Sequence, residues 1–176
     1  MSPKNGWITV FGSGRLIESE PAYQCAVELG GLLAESGFGV CTGGYRGIME
    51  ASPRGAHSKS GETAGVIIRG SKSQPNAWIK TVYEENTWAE RLFKLIDLAA
   101  GYVVMDGGIG TLNEFLFVWE MANKGLHAKP IILLGDTPAE ISRLLRHSPL
   151  VEHSDRPFEA QSPGQALNYL HENLRF

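Results

Sequence analysis

The chain has 176 residues, 43% of them hydrophobic and 20% charged, with a formal net charge of −3. That length and balance predict one globular domain, residues 1–176, with one substantial core, and exclude a disordered or collagen-like chain. Near-neutral charge without a Lys/Arg cluster argues against nucleic acid as a partner, and no apolar run reaches the ~18 residues that a membrane span needs.

The polar start, Met1 to Gly6, runs straight into a strand-like segment and predicts no signal peptide. Trp7 to Phe11 reads as a first strand. Pro21 suits the first turn of a helix, and Ala22, Cys25, Ala26, Leu29, Leu32 and Leu33 then recur at helical spacing. Phe38 to Thr42 is a second strand, and a helix is expected from about Gly47 to His57, strained around Pro53. Cys25 and Cys41 lack CxxC spacing and read as buried free thiols of a cytoplasmic protein. Ala64 to Ile68 and Trp78 to Tyr83 are the next strands. Thr87 to Ala100 is an amphipathic helix with Trp88, Leu92, Leu95, Ile96 and Ala99 on its apolar face. Tyr102 to Met105 is a buried strand, and Thr111 to Lys124 a strongly apolar helix. A strand at Ile131 to Leu134, a helix from about Pro138 to Arg146, a short strand near Phe158 and a helix from Pro163 to Leu174 complete the pattern. Strands separated by helices predict an α/β fold, doubly wound around a mainly parallel sheet, with ligands beyond the carboxyl ends of the strands.

Three glycine-rich turns fall at such ends. Gly12-Ser13-Gly14-Arg15 follows the first strand; glycines admit an anion to the backbone, and Arg15 can fork onto a phosphate. It is no complete dinucleotide fingerprint, because Ile17 stands where GxGxxG needs its last glycine. By itself it fits a tight connection as well as a binding loop. Thr42-Gly43-Gly44-Tyr45-Arg46-Gly47-Ile48-Met49-Glu50 follows the second strand and again suggests amides turned toward phosphate or ribose. Met49 also fits plain core packing, and Glu50 a helix dipole. Asp106-Gly107-Gly108-Ile109-Gly110-Thr111-Leu112-Asn113-Glu114 is the third. Its Thr-x-x-Glu reads equally as a capping box, as does Thr87-x-x-Glu90.

Other chemistries find no support. There is no Gly-x-Ser-x-Gly elbow. His57, His127, His147, His153 and His171 show no close ligand spacing, so no metal is expected. His127 reads as a surface-loop residue.

Read together, Gly-Gly-x-x-Gly-Ile-Met-Glu and Gly-Gly-x-Gly-Thr-x-x-Glu resemble the Lonely Guy family of nucleotide phosphoribohydrolases, many of whose members were labelled lysine decarboxylases. The resemblance runs from the first strand through the Ile131 strand. It implies a Rossmann-like domain, no cofactor, and a catalytic pair of Glu114 and Arg91, which precedes it by 23 residues. It further implies a phosphate or substrate site at Gly12, Ser13, Gly14, Arg15, Gly43, Gly44, Gly47, Met49, Gly107, Gly108, Ile109, Gly110 and Thr111. Two departures point to a divergent bacterial branch: Asp106 replaces the usual proline before Gly-Gly, and Leu92 replaces the lysine after the arginine. The decarboxylase label does not fit, since nothing marks a Schiff-base lysine.

The activity so implied is hydrolysis of a nucleoside 5′-monophosphate to free base and ribose 5-phosphate. A carboxylate beside the ribose would stabilise an oxocarbenium-like transition state, and Met49 with Tyr45 or Trp88 are the candidates for a base pocket. Related proteins of this size carry molybdenum cofactor, so the alternative is a non-catalytic carrier of a phosphorylated ligand. The helix with Leu112, Phe115, Leu116, Phe117, Val118, Trp119, Met121 and Ala122 is apolar around most of its circumference, and one sheet covers one side. With the resemblance, that predicts a homodimer or higher homo-oligomer.

Overall fold

The structure, a computed structural model, describes residues 3–148 and 157–174. The expectations at Met1 and His153 lie outside the described residues. β1 (Trp7–Phe11) leads into α1 (Pro21–Glu35), β2 (Gly39–Thr42) and α2 (Ile48–Ser58). β3 (Thr63–Ile68) passes to β4 (Thr81–Glu85) with no helix between them. Then come α3 (Trp88–Leu98), β5 (Ala99–Val104), α4 (Ile109–Asn123), β6 (Ile131–Leu133), α5 (Asp136–Arg146), β7 (Phe158–Glu159) and α6 (Pro163–Asn173).

All seven strands join one parallel sheet in the order β4-β3-β2-β1-β5-β6-β7. β1 is buried along its whole length, as a strand covered on both faces must be. Its side chains alternate between two cores. Ile8 and Val10 join Leu29, Leu33, Ile48 and Leu170 under α1, α2 and α6. Trp7 and Phe11 join Leu95, Phe115, Val118 and Trp119 under α3 and α4. The chain winds outward from β1 through β2 and β3, then returns to place β5 on the other side of β1. That reversal opens a crevice above the carboxyl ends of β1 and β5. The doubly wound α/β expectation is met.

Several local expectations shift. β4 begins at Thr81, not Trp78, because the preceding segment is consumed by side chains. Thr63 Oγ1 donates to Trp78 O and accepts from Lys80 N, and the Trp78 indole packs against His57. α3 stops at Leu98 and β5 starts at once with Ala99, where a bulge shifts its register against Trp7 and Ile8. Trp88 lies on the apolar stripe but is not buried with it: it is 73% exposed, at the end of α3 that overhangs the crevice. Thr87 and Glu90 form the expected capping box. Thr111 and Glu114 do not, because α4 starts at Ile109 with Gly108 as its N-cap. Cys41 is buried, Cys25 half-buried, and both are free. Half-buried His127 contacts Val118 O on α4 through Nε2.

Candidate functional site

The three glycine turns meet at the crevice. Ser13 ties them together: its N–H donates to Asp106 O at 2.9 Å and its carbonyl accepts from Ile48 N at 2.8 Å. Between the turns lies an open cleft of about 650 Å³. Gly12, Ser13, Gly14 and Arg15 line it from the β1 turn, Tyr45 and Met49 from the β2 side, Trp88 and Arg91 from α3. Gly108, Ile109, Gly110, Thr111 and Glu114 close it from the β5 turn and α4. No side chain caps α4, so the amides of its first turn remain to be satisfied by solvent or ligand.

Arg91 is 4% exposed and reaches the cleft floor from α3. Its Nε donates to Val66 O at 2.8 Å, which fixes the plane of the guanidinium. The same group lies 5.7 Å from the Tyr45 ring centre and 5.3 Å from that of Trp88. Its Nη1 approaches Glu114 Oε1 only to 3.7 Å, an ion pair without a hydrogen bond. Burial pushes the Glu114 carboxyl up to about 7, and Arg91 offsets this only in part. At neutral pH the pair therefore keeps more positive than negative charge, a floor suited to an anion.

Gly43, Gly44, Gly47 and Gly107 do not line the cleft; they shape its walls. A Cβ on Gly43 would strike the Arg91 guanidinium and come within 2.6 Å of Met49 Sδ. Gly47 turns the chain into α2 at φ +66°, tight against the Ser13 carbonyl. Asp106 also points elsewhere: its Oδ1 accepts from Thr137 N, joining the end of β5 to the start of α5. Leu92 packs into the core beneath α3. Asn76 escaped sequence reasoning altogether. Its Nδ2 contacts Gly44 O, Tyr45 O and Met49 O, and its backbone N–H donates to Gly44 O, so it clamps the β2 turn. Nothing in the local sequence marks a residue bound to a turn some thirty positions away.

A sequence-family model described as the SLOG cluster4 family matches residues 5–161. The chain belongs to the SLOG cluster4 family. Among sequence relatives, a cytokinin riboside 5′-monophosphate phosphoribohydrolase of Rhodococcoides fascians is 28% identical over 139 residues, covering 77% of this chain and 69% of that protein. Among solved structures, the molybdenum cofactor binding protein of Rippkaea orientalis aligns with a TM-score of 0.74 at 24% identity, over 96% of this chain and 97% of its own. The molybdenum cofactor carrier protein of Chlamydomonas reinhardtii aligns with a TM-score of 0.77 at 21% identity, over 97% and 99%. These two structures establish likeness of fold. The family member described here is thus related to a phosphoribohydrolase in sequence and shares its fold with cofactor-binding proteins. Among the described residues, no helix is long and apolar enough to cross a membrane, and no cluster of three His, Cys, Asp or Glu side chains could hold a metal ion.

Proposed function

We propose that the cleft binds a phosphorylated small molecule, with its phosphate on the uncapped start of α4 beside Arg91, and that the chain holds this ligand as a carrier. The observation that carries the reading is the buried Arg91 guanidinium, fixed by Val66 O and only weakly neutralised by Glu114. A buried cation so poorly compensated favours an incoming anion, and helix amides supply directed donors for it. Sequence reasoning put hydrolysis first and carriage second; the loose 3.7 Å contact that leaves Arg91 weakly neutralised favours the reverse order. A carboxyl already half protonated at neutral pH would be protonated further by a phosphate dianion nearby. It then offers little negative charge to a ribosyl cation. The molybdenum-cofactor proteins share the fold over nearly the whole chain. Molybdenum cofactor, a phosphorylated pterin, is accordingly the first cargo to test.

Hydrolysis of a nucleoside 5′-monophosphate is the second reading, favoured by Arg91 and Glu114 facing one cleft. Both readings take a homodimer, with Phe93 and Phe117 on the exposed faces of α3 and α4 under a second copy. The test pairs two measurements on one preparation: affinity for phosphorylated ligands and their dephosphorylated counterparts, and release of free base from a panel of nucleoside monophosphates. Phosphate-dependent binding without base release supports the carrier. Base release hands the case to hydrolysis, and equal affinity with and without phosphate overturns both.

A further inference from the structure

The cleft does not end at Tyr45. Past Tyr45 and Gly14, which border both spaces, it opens into a second lobe of about 760 Å³. Arg46 and Glu50 wall this lobe on the α2 side, and the Lys72–Ala77 stretch of the β3–β4 crossover walls it opposite. Small-molecule sites usually span about 300–1,000 Å³, so the first lobe alone has room for a nucleotide-sized ligand. The second is surplus to that need.

Its charges are also out of keeping with the rest of the surface. Elsewhere most basic side chains are matched: Arg54 with Glu18, Lys59 with Glu35, Arg69 with Glu84, Lys80 with Glu62, Lys124 with Glu120, and Arg143 and Arg146 with Glu159. Arg15, Arg46 and Lys72 have no ion-pair partner among the described residues, and all three border the two lobes. Lys94 and Lys129 also lack an ion pair, but Lys94 lies over the Tyr83 ring and Lys129 donates to Ile96 O, whereas Lys4, before β1 at the opposite end of the sheet, has no such side-chain contact among the described residues. Glu50 is the acid that lines the second lobe, which leaves its wall net positive. The wall is built rather than loose, because Asn76 pins the crossover to Gly44, Tyr45 and Met49 through its side-chain amide.

We propose that the lobe between Arg46 and Lys72 is a second anion subsite, so that the ligand is of the dinucleotide class, extended from its first phosphate through a pyrophosphate or similar acidic bridge. This rests on reading the first lobe as the phosphate site. Arg46 and Lys72 supply charge to the bridge or the distal phosphate. Glu50 and Gln74 offer polar groups to a distal sugar or base.

Calorimetric titration of the full chain tests this with two probes, AMP and diadenosine diphosphate, at one ionic strength. The expected result is at least about tenfold tighter binding of the dinucleotide, with the gap closed in the Arg46→Ala/Lys72→Ala double variant while AMP affinity stays as in wild type. Both changes are at exposed positions, and an unchanged melting temperature verifies the fold. Equal affinity of the two probes for wild type overturns the second subsite and leaves the first-lobe reading standing. A gap that persists in the double variant overturns its placement. Failure of wild type to bind either probe removes the nucleotide reading of the first lobe and this inference with it.

Discussion

Arg91 Nη1 and Glu114 Oε1 stand 3.7 Å apart at the floor of the cleft, an ion pair that stops short of a hydrogen bond. The guanidinium is held by Val66 O rather than by the carboxylate, so its position does not depend on the charge of Glu114. Arg91→Ala is therefore expected to weaken a phosphorylated ligand by about 10–100-fold, the range for a lost hydrogen bond to a charged group. The same ligand without its phosphate is expected to change less than about threefold. Titration of both forms against wild type and variant checks the contrast.

Glu114 gives a prediction with a definite sign. Its folded carboxyl titrates at about 7, above the ordinary 4.5, so the native state keeps a proton that the unfolded state releases between those values. Its contribution to stability is full below about pH 4.5 and is lost as pH rises through about 7. Glu114→Gln removes that loss, so the variant should gain melting temperature relative to wild type between pH 5 and pH 8. On the carrier reading it binds the phosphorylated ligand at least as well. On the hydrolase reading, base release by wild type climbs with pH through about 7, and the variant loses turnover by at least on the order of 10². Thermal melts across pH and a base-release assay on the same samples distinguish these outcomes.

Two glycines should respond in opposite ways. Nothing lies within 4 Å of a Cβ on Gly108, whose φ of −88° suits any residue. Gly108→Val should keep its melting temperature and lose the ligand, since the new side chain stands over the start of α4. Gly43→Ala should lose stability as well, because the methyl would displace Arg91 and Met49. Melting curves and binding isotherms for both variants check the pair.

Phe93 and Phe117 pack edge to face at 5.7 Å, and are 50% and 36% exposed. A large apolar surface of this kind favours a second copy. Phe117→Glu should convert a dimer to a monomer at micromolar concentration, read by light scattering. A wild-type chain that is monomeric there would remove the prediction.

The sheet and the order of its helices were legible because periodicity reports burial. Trp7–Phe11 is apolar without alternation because helices cover both faces of β1, and Pro21 marks the start of α1. Trp88 misled the same logic: it lies on the apolar stripe of α3, but the helix extends beyond the sheet there and the indole meets solvent over Arg91. Thr111-x-x-Glu114 imitated a cap because the motif does not reveal that Gly108 starts the helix earlier. The convergence of the glycine turns was readable from strand ends. The second lobe was not, since its wall depends on Asn76 reaching a turn distant in sequence.

The crossover from Arg69 to Lys80 is fastened at Asn76, while Lys72, Ser73 and Gln74 before it are exposed. Substitutions in that tip disturb no core contact, so the character of the lobe's outer wall can be altered while the scaffold stays as it is. The clamp separates a fixed half of the crossover, which shapes the β2 turn, from an exposed tip whose side chains can change without disturbing that turn.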